Sequence, residues 1–187
     1  DKRSFGFRLF QSAQDASQQI FACLAHPKSA QWILECDIQG CFDNISHDWL
    51  KTHIPMDLSI LNQFLKAGFM YEGQSFSTEV GTPQGGSLSP ILANMTLDGI
   101  ESLLAHKFPK MKVHFIRYAD DMIVTAPTKE IAEEIKGIIQ TFLSERGLQL
   151  SEKKTIITHI DDGFSFLGWN FRKYDGVLLI KPSKESV

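Results

Sequence analysis

Apolar positions along the chain recur with two different periods, and the changes of period divide it into elements. Ile20, Phe21 and Leu24 share a helical face that stops before Pro27. A run rich in β-branched and aromatic residues over 32–38 predicts the first buried strand. Ser46 then reads as the cap of one helix. Asp57 caps a second, carrying Ile60, Leu61, Phe64 and Leu65, with Gly68 at its end. Residues 69–71 and 75–80 flank Glu72-Gly73 and predict a hairpin. Ser89 as cap and Pro90 as first helical residue open a helix to about Lys107, with Ile91, Leu92, Met95, Ile100, Leu103 and Leu104 on one stripe. Phe115-Ile116-Arg117-Tyr118 and Met122-Ile123-Val124 are two strands joined by a tight turn. Thr128 caps a helix that turns Ile131, Ile135, Ile138, Ile139, Phe142 and Leu143 inward and ends at Gly147. A strand over 156–160, a turn at Asp162-Gly163, a single strand over 164–169 and two short strands joined by Asp175-Gly176 complete the chain. This order predicts an α+β fold, an antiparallel sheet with helices packed on one face.

The 187 residues suffice for one domain with a sizeable core, and 43% hydrophobic with 22% charged residues is an ordinary globular composition. No apolar run is long enough for a membrane span, so no membrane partner is expected. Cys23, Cys36 and Cys41 lack metal-ligand spacing and sit in apolar surroundings, as reduced core thiols of a cytoplasmic protein do. The net charge of −3 argues against a self-sufficient nucleic-acid-binding module, which usually carries a basic face.

The candidate chemistry lies in aspartates that end or turn apolar strands. Asp120 and Asp121 stand side by side in the tight turn, and Asp37 closes the first strand. Two neighbouring carboxylates repel unless a cation compensates, and no Lys or Arg lies between the strands, although Arg117 is near. A hard divalent cation with oxygen ligands meets that need; a water-exposed Asp-Asp turn is the plainer alternative. Thr82-Pro83-Gln84-Gly85-Gly86 forms a Gly/Pro-rich loop in which glycine permits close backbone approach to a ligand.

Tyr118-Ala119-Asp120-Asp121 after a strand, the Asp37 element ending in Phe42, and the loop from Thr82 to Gly86 together resemble the palm of reverse transcriptases. Three longer stretches resemble the group II intron-encoded subfamily: Ser4-Phe5-Gly6-Phe7-Arg8, Phe42-Asp43-Asn44-Ile45, and residues 81–90. The motifs run in the family's order from Ser4 to Gly168. The resemblance implies a right-hand polymerase palm over 32–187, preceded by the end of the fingers over 1–31, in a piece of a longer polypeptide. It implies RNA-directed DNA synthesis with an RNA template, a DNA primer, deoxynucleotide triphosphates and two Mg²⁺ ions. Asp37 and Asp120 would bridge both ions, Asp121 would support the ion under the primer end, and the Ile38 carbonyl would complete one coordination sphere. Phe42 would exclude a 2′-hydroxyl; by position alone it is a core phenylalanine. Gln84 and Gly85 would meet the incoming nucleotide. Lys154 would supply an acid to pyrophosphate, or is a solvated lysine. Phe166, Leu167 and Gly168 would position the primer, or are ordinary core. Arg8 would contact a phosphate or the template, or is a surface arginine. Intron RNA is the further partner implied, in a bacterial cytoplasm or an organelle. Relatives serving a retron or spacer acquisition, and a splicing-only scaffold, are the competing readings.

Overall fold

The computed structural model describes residues 1–67, 69–71, 74–76, 80–82 and 88–183. In chain order the elements are α1 (Ala13–Leu24), β1 (Trp32–Cys36), α2 (Cys41–Asn44), α3 (His47–His53), α4 (Leu58–Lys66), β2 (Phe69–Tyr71) and β3 (Gln74–Phe76). They continue with α5 (Ser89–Leu97), α6 (Ile100–Lys107), β4 (His114–Tyr118), β5 (Asp121–Ala126), α7 (Lys129–Ser144), β6 (Ile156–His159), β7 (Phe164–Phe166), β8 (Trp169–Tyr174) and β9 (Val177–Pro182).

The central sheet runs β4-β5-β1-β6, antiparallel throughout, and its strands alternate between two cores. Leu34, Cys36, Phe115, Met122, Val124 and Ala126 face a core shared with α3 to α7. Ile33, Ile116 and Ile123, each one position away, face a second core with Ile20 and Leu24 of α1 and Phe164, Phe166 and Phe171 of the β7-β8-β9 sheet. The period-2 alternation of a strand produces this division. Most helices therefore cover one face as predicted, while α1 and the small sheet cover the other.

Local signals act where they were read. Ser46 accepts from Trp49 N–H, Thr128 from Ile131 N–H, and Asp57 from Ser59 and Ile60 N–H. The β2-β3 hairpin forms, although Gly68 and Glu72-Gly73 lie outside the described residues.

Several expectations are corrected. The single helix over 90–107 is two, because Asp98 leaves helical geometry and Gly99 sits at φ 109° between α5 and α6. Its cap is Leu88 rather than Ser89. The apolar stripe runs on across the break because Leu97, Ile100 and Leu104 all enter one core, whereas Ile91 is exposed, as is Ile60 on α4. The single strand over 164–169 is a hairpin: Leu167 (φ 51°) and Gly168 (φ 83°) turn it, and Phe166 pairs with Trp169. Leucine in the left-handed region carries no turn signal in sequence, so the turn went unread.

The open edge of β4 is covered by the N-terminal segment. Ser4 bridges Arg117 in parallel, with Arg117 N–H donating to the Arg3 carbonyl at 2.9 Å and Phe5 N–H to the Arg117 carbonyl at 2.8 Å. This removes an exposed strand edge and ties residues 3–5 to the strand that carries the aspartate turn.

Candidate active site

Register sets the carboxylates side by side. Cys36 pairs with Met122, so Asp37 and Asp121 fall one position further along two adjacent strands, at the same end of the sheet. Tyr118 pairs with Asp121, leaving Ala119 and Asp120 as the whole turn, with Ala119 at φ 56°. Asp121 reaches solvent, yet its carboxyl lies above the usual range. Lost hydration at the crowded tip is the first cause, and the charges of Asp120 and Asp37 add to it; Lys154 opposes them. Asp121 therefore senses both of the other carboxylates. The ammonium that answers them is Lys154, whose Nζ lies 3.2 Å from Asp37 Oδ2 with its side chain 70% exposed. Arg117, adjacent in sequence, points elsewhere.

The segment after Asp37 is anchored through its backbone. Ser151 N–H donates to the Asp37 carbonyl at 2.8 Å and Gln39 N–H to the Gln149 carbonyl at 2.9 Å, around an Ile38–Leu150 bridge.

A cavity of about 1380 Å³ opens beside these groups. Asp37, Asp120, Phe42 and Lys154 line it, and so do Lys136 and Gln140 of α7. Phe42 is half-buried: it packs on the main core, meets Phe7 edge-on at 6.4 Å, and still faces the cavity. Its ring thus touches the core and the cavity at once. The start of the Gly-rich loop is fastened to the same turn. Gly81 N–H donates to the Ile45 carbonyl at 3.0 Å, Thr82 N–H to the Phe42 carbonyl at 2.6 Å, and His47 Nε2 lies 2.5 Å from the Gly81 carbonyl. Gln84 and Gly85 lie outside the described residues.

Two groups sit away from the cavity wall. The Arg8 guanidinium turns inward to Asp98 at 3.0 Å and Ser4 Oγ at 3.1 Å, so its contacts in this structure are structural. Phe166, Leu167 and Gly168 form the β7-β8 turn, with Phe166 in the second core and the Gly168 carbonyl accepting from Ser183 N–H at 2.8 Å.

Sequence reasoning missed a polar network behind the turn. Arg117 is fully buried, and its guanidinium reaches Asn94, Asp98 and the Ala119 carbonyl. Loss of hydration lowers its pKa to about 10, so it remains charged at neutral pH. Asn94 on α5 and Asp98 at its C-cap, four residues apart, were the available signal.

Among the described residues no group of three or more carboxylate, imidazole or thiol side chains is placed so that it could hold a metal ion. The donors nevertheless suit magnesium, which binds a few carboxylate oxygens and keeps water or substrate phosphate in its remaining positions. Asp37 and Asp120 both line the cavity and both act on the Asp121 carboxyl, which gathers carboxylate oxygens of that kind at one end of the sheet.

Comparison with known proteins agrees with this geometry. A family model described as Reverse transcriptase (RNA-dependent DNA polymerase) matches residues 1–171. The chain is 28% identical to the group II intron-encoded protein LtrA of Lactococcus lactis subsp. cremoris, covering 90% of this chain and 39% of LtrA. It is 27% identical to the putative COX1/OXI3 intron 2 protein of Saccharomyces cerevisiae (90% of this chain, 27% of that protein). It is 23% identical to the retron Ec48 reverse transcriptase of Escherichia coli (78% of this chain, 35% of that protein). The chain thus spans well under half the length of these relatives. In fold it matches telomerase from Candida albicans (TM-score 0.68, 16% identity, all of this chain and 35% of that one). It also matches apo telomerase from Candida tropicalis (TM-score 0.70, 17% identity, 97% and 41%). With the palm-like α+β fold, the aspartate turn and the family match over residues 1–171 in agreement, the chain belongs to the reverse transcriptase (RNA-dependent DNA polymerase) family.

Proposed function

We propose that this chain is the palm, with the end of the fingers over 1–31, of a group II intron-encoded reverse transcriptase that copies RNA into DNA. The observation that carries the reading is the shared strand end that sets Asp37 beside the Asp120-Asp121 turn at a cavity faced by Phe42. Asp37 and Asp120 would hold two Mg²⁺ ions, with Asp121 and the Ile38 carbonyl supporting them. Such a pair lowers the pKa of a primer 3′-hydroxyl and neutralises charge on the pyrophosphate leaving group.

The chain's own residues supply the rest. The β4-β5 turn and the end of β1 orient the three carboxylates before substrate arrives, so little reorganisation remains to be made. Phe42 presents a ring where the sugar of a deoxynucleotide would lie. Lys154, tethered to Asp37 yet open to solvent, holds a proton within reach of a departing phosphate. Gln84 and Gly85 meet the nucleotide from the Gly-rich loop, and the 166–168 turn guides the primer. An RNA template, a DNA primer, deoxynucleotide triphosphates and intron RNA are the partners. Identity of 28% over 90% of this chain to an intron-encoded protein, against 23% over 78% to a retron enzyme, favours the intron class. No helix among the described residues is long and apolar enough to cross a membrane.

The test is extension of a DNA primer on an RNA template by the full-length protein. Extension with Mg²⁺ and its loss with a chelator are expected; no extension with either Mg²⁺ or Mn²⁺ would refute the reading.

A further inference from the structure

Arg117 is a buried cation with no place in the chemistry above. Its Nη1 donates to Asn94 Oδ1 at 2.7 Å and to the Ala119 carbonyl at 3.1 Å; its Nη2 donates to Asp98 Oδ1 at 2.9 Å and to the Asn94 carbonyl at 3.4 Å. Asn94 Nδ2 then donates to the Gly6 carbonyl at 3.0 Å. Gly6 lies against the turn from the other side: a Cβ built there would fall 2.1 Å from Ala119 N. Ala119 is therefore held at its carbonyl by Arg117 and hemmed at its nitrogen by Gly6. It is the residue before Asp120, and it sits at φ 56°, a conformation alanine avoids.

Stability alone does not explain this arrangement. Burying a guanidinium is costly, and an apolar side chain of similar volume often replaces a buried ion pair without loss. Arg117 Nε is moreover buried without a partner, a further cost. What the guanidinium offers is a rigid fork that reaches α5 and the turn carbonyl together, which a lysine ammonium cannot reproduce. Strain at a turn that carries ligands, enforced by surrounding contacts, is characteristic of functional sites.

We propose that Arg117 is the positioning residue of the aspartate turn: through the Ala119 carbonyl it fixes Asp120 and Asp121 at the spacing from Asp37 at which the three carboxylates take a divalent cation. This rests on the metal reading of the site given above. Arg117 acts only through the backbone and touches neither substrate nor ion. Groups that hold and orient metal ligands typically contribute ten- to a hundredfold in metal affinity, and about tenfold or more is expected here.

The experiment uses full-length protein bound to a dideoxy-terminated primer on RNA template with the next nucleotide. Mn²⁺ binding is titrated by electron paramagnetic resonance, beside a thermal melt and the Mg²⁺ concentration giving half-maximal extension on an extendable primer. Arg117→Lys should weaken Mn²⁺ binding about tenfold or more and raise the Mg²⁺ requirement by a similar factor. The double variant Arg117→Lys/Ala119→Gly guards against a single variant that fails to fold, since glycine accepts φ 56° without cost. It should recover melting temperature while Mn²⁺ binding stays weak. Leu61→Val, a buried change on α4, none of whose residues lines the cavity, should lower the melt and leave Mn²⁺ binding at the wild-type value. Wild-type Mn²⁺ affinity in Arg117→Lys, or recovery of affinity together with stability in the double variant, would overturn the proposal and leave Arg117 as packing. If Mn²⁺ fails to bind the wild type, or binds Asp120→Asn equally well, the metal reading itself falls and this proposal with it.

Discussion

Gly81 offers a prediction whose size follows from the coordinates. Its φ is 81°, and a Cβ there would stand 2.6 Å from the carbonyl carbon and oxygen of Asp43 and 2.6 Å from the Phe42 carbonyl oxygen. All three are backbone atoms, so no side chain can swing aside. Reaching even the close end of ordinary contact, from 2.6 to 3.4 Å, requires a shift of about 0.8 Å in one backbone relative to the other. The left-handed conformation adds about 1–3 kcal/mol for any residue with a Cβ. Relief by movement would break Gly81 N–H to Ile45, Thr82 N–H to Phe42, and the His47 contact. Gly81→Ala should therefore lower unfolding stability by about 2 kcal/mol or more, since strain and lost hydrogen bonds add. It should also move the Phe42 turn and the base of the Gly-rich loop apart. A displacement of roughly 1 Å at a positioning element can cost about a hundredfold in rate. A thermal melt and steady-state primer extension with varied nucleotide are the assays. An unchanged melt with unchanged kcat/KM for nucleotide would refute the reasoning.

Other expectations concern single groups. Phe42→Val should raise the ratio of ribonucleotide to deoxynucleotide incorporation efficiency, about tenfold for each 1.4 kcal/mol of lost exclusion; an unchanged ratio in a destabilised variant would leave Phe42 as packing alone. Burial pushes the Cys36 and Cys41 thiols up to about 12, so neither should react with iodoacetamide in the native protein near neutral pH; prompt alkylation, read by mass spectrometry, would contradict their placement. Asp121 has a folded pKa raised above 3.8, which costs stability once the group ionises. Asp121→Asn should thus raise the metal-free melting temperature at neutral pH, with the gain fading as pH falls through the raised value toward 3.8. A gain that persisted at lower pH would assign the effect to something other than charge.

Much of this molecule is written in local signals. The β4-β5 hairpin was legible because two apolar runs leave room only for a tight turn, and the helix caps at Ser46, Asp57 and Thr128 were legible from one side chain each. The aspartates of the site could be named because each ends or turns a buried strand. What escaped is non-local. Arg117 finds Asn94 and Asp98 at separations of 23 and 19 residues, and nothing near position 117 announces them. The break between α5 and α6 was masked because both helices feed one core, so the apolar period survives the interruption. The second face of the sheet was missed for a related reason: alternating strands do not reveal which elements will cover each side, and α1 and the β7-β8-β9 sheet come from opposite ends of the chain.

The central claim is that Asp37, Asp120 and Asp121 form one metal-dependent polymerising centre, and Asp120→Asn in the full-length protein tests it most directly. Asn keeps the size of the side chain and removes one of the two charges that press on Asp121, so the metal-free melting temperature should hold or rise slightly. Primer extension on an RNA template should fall to background while the protein remains folded. Extension at the wild-type rate by folded Asp120→Asn would contradict the account.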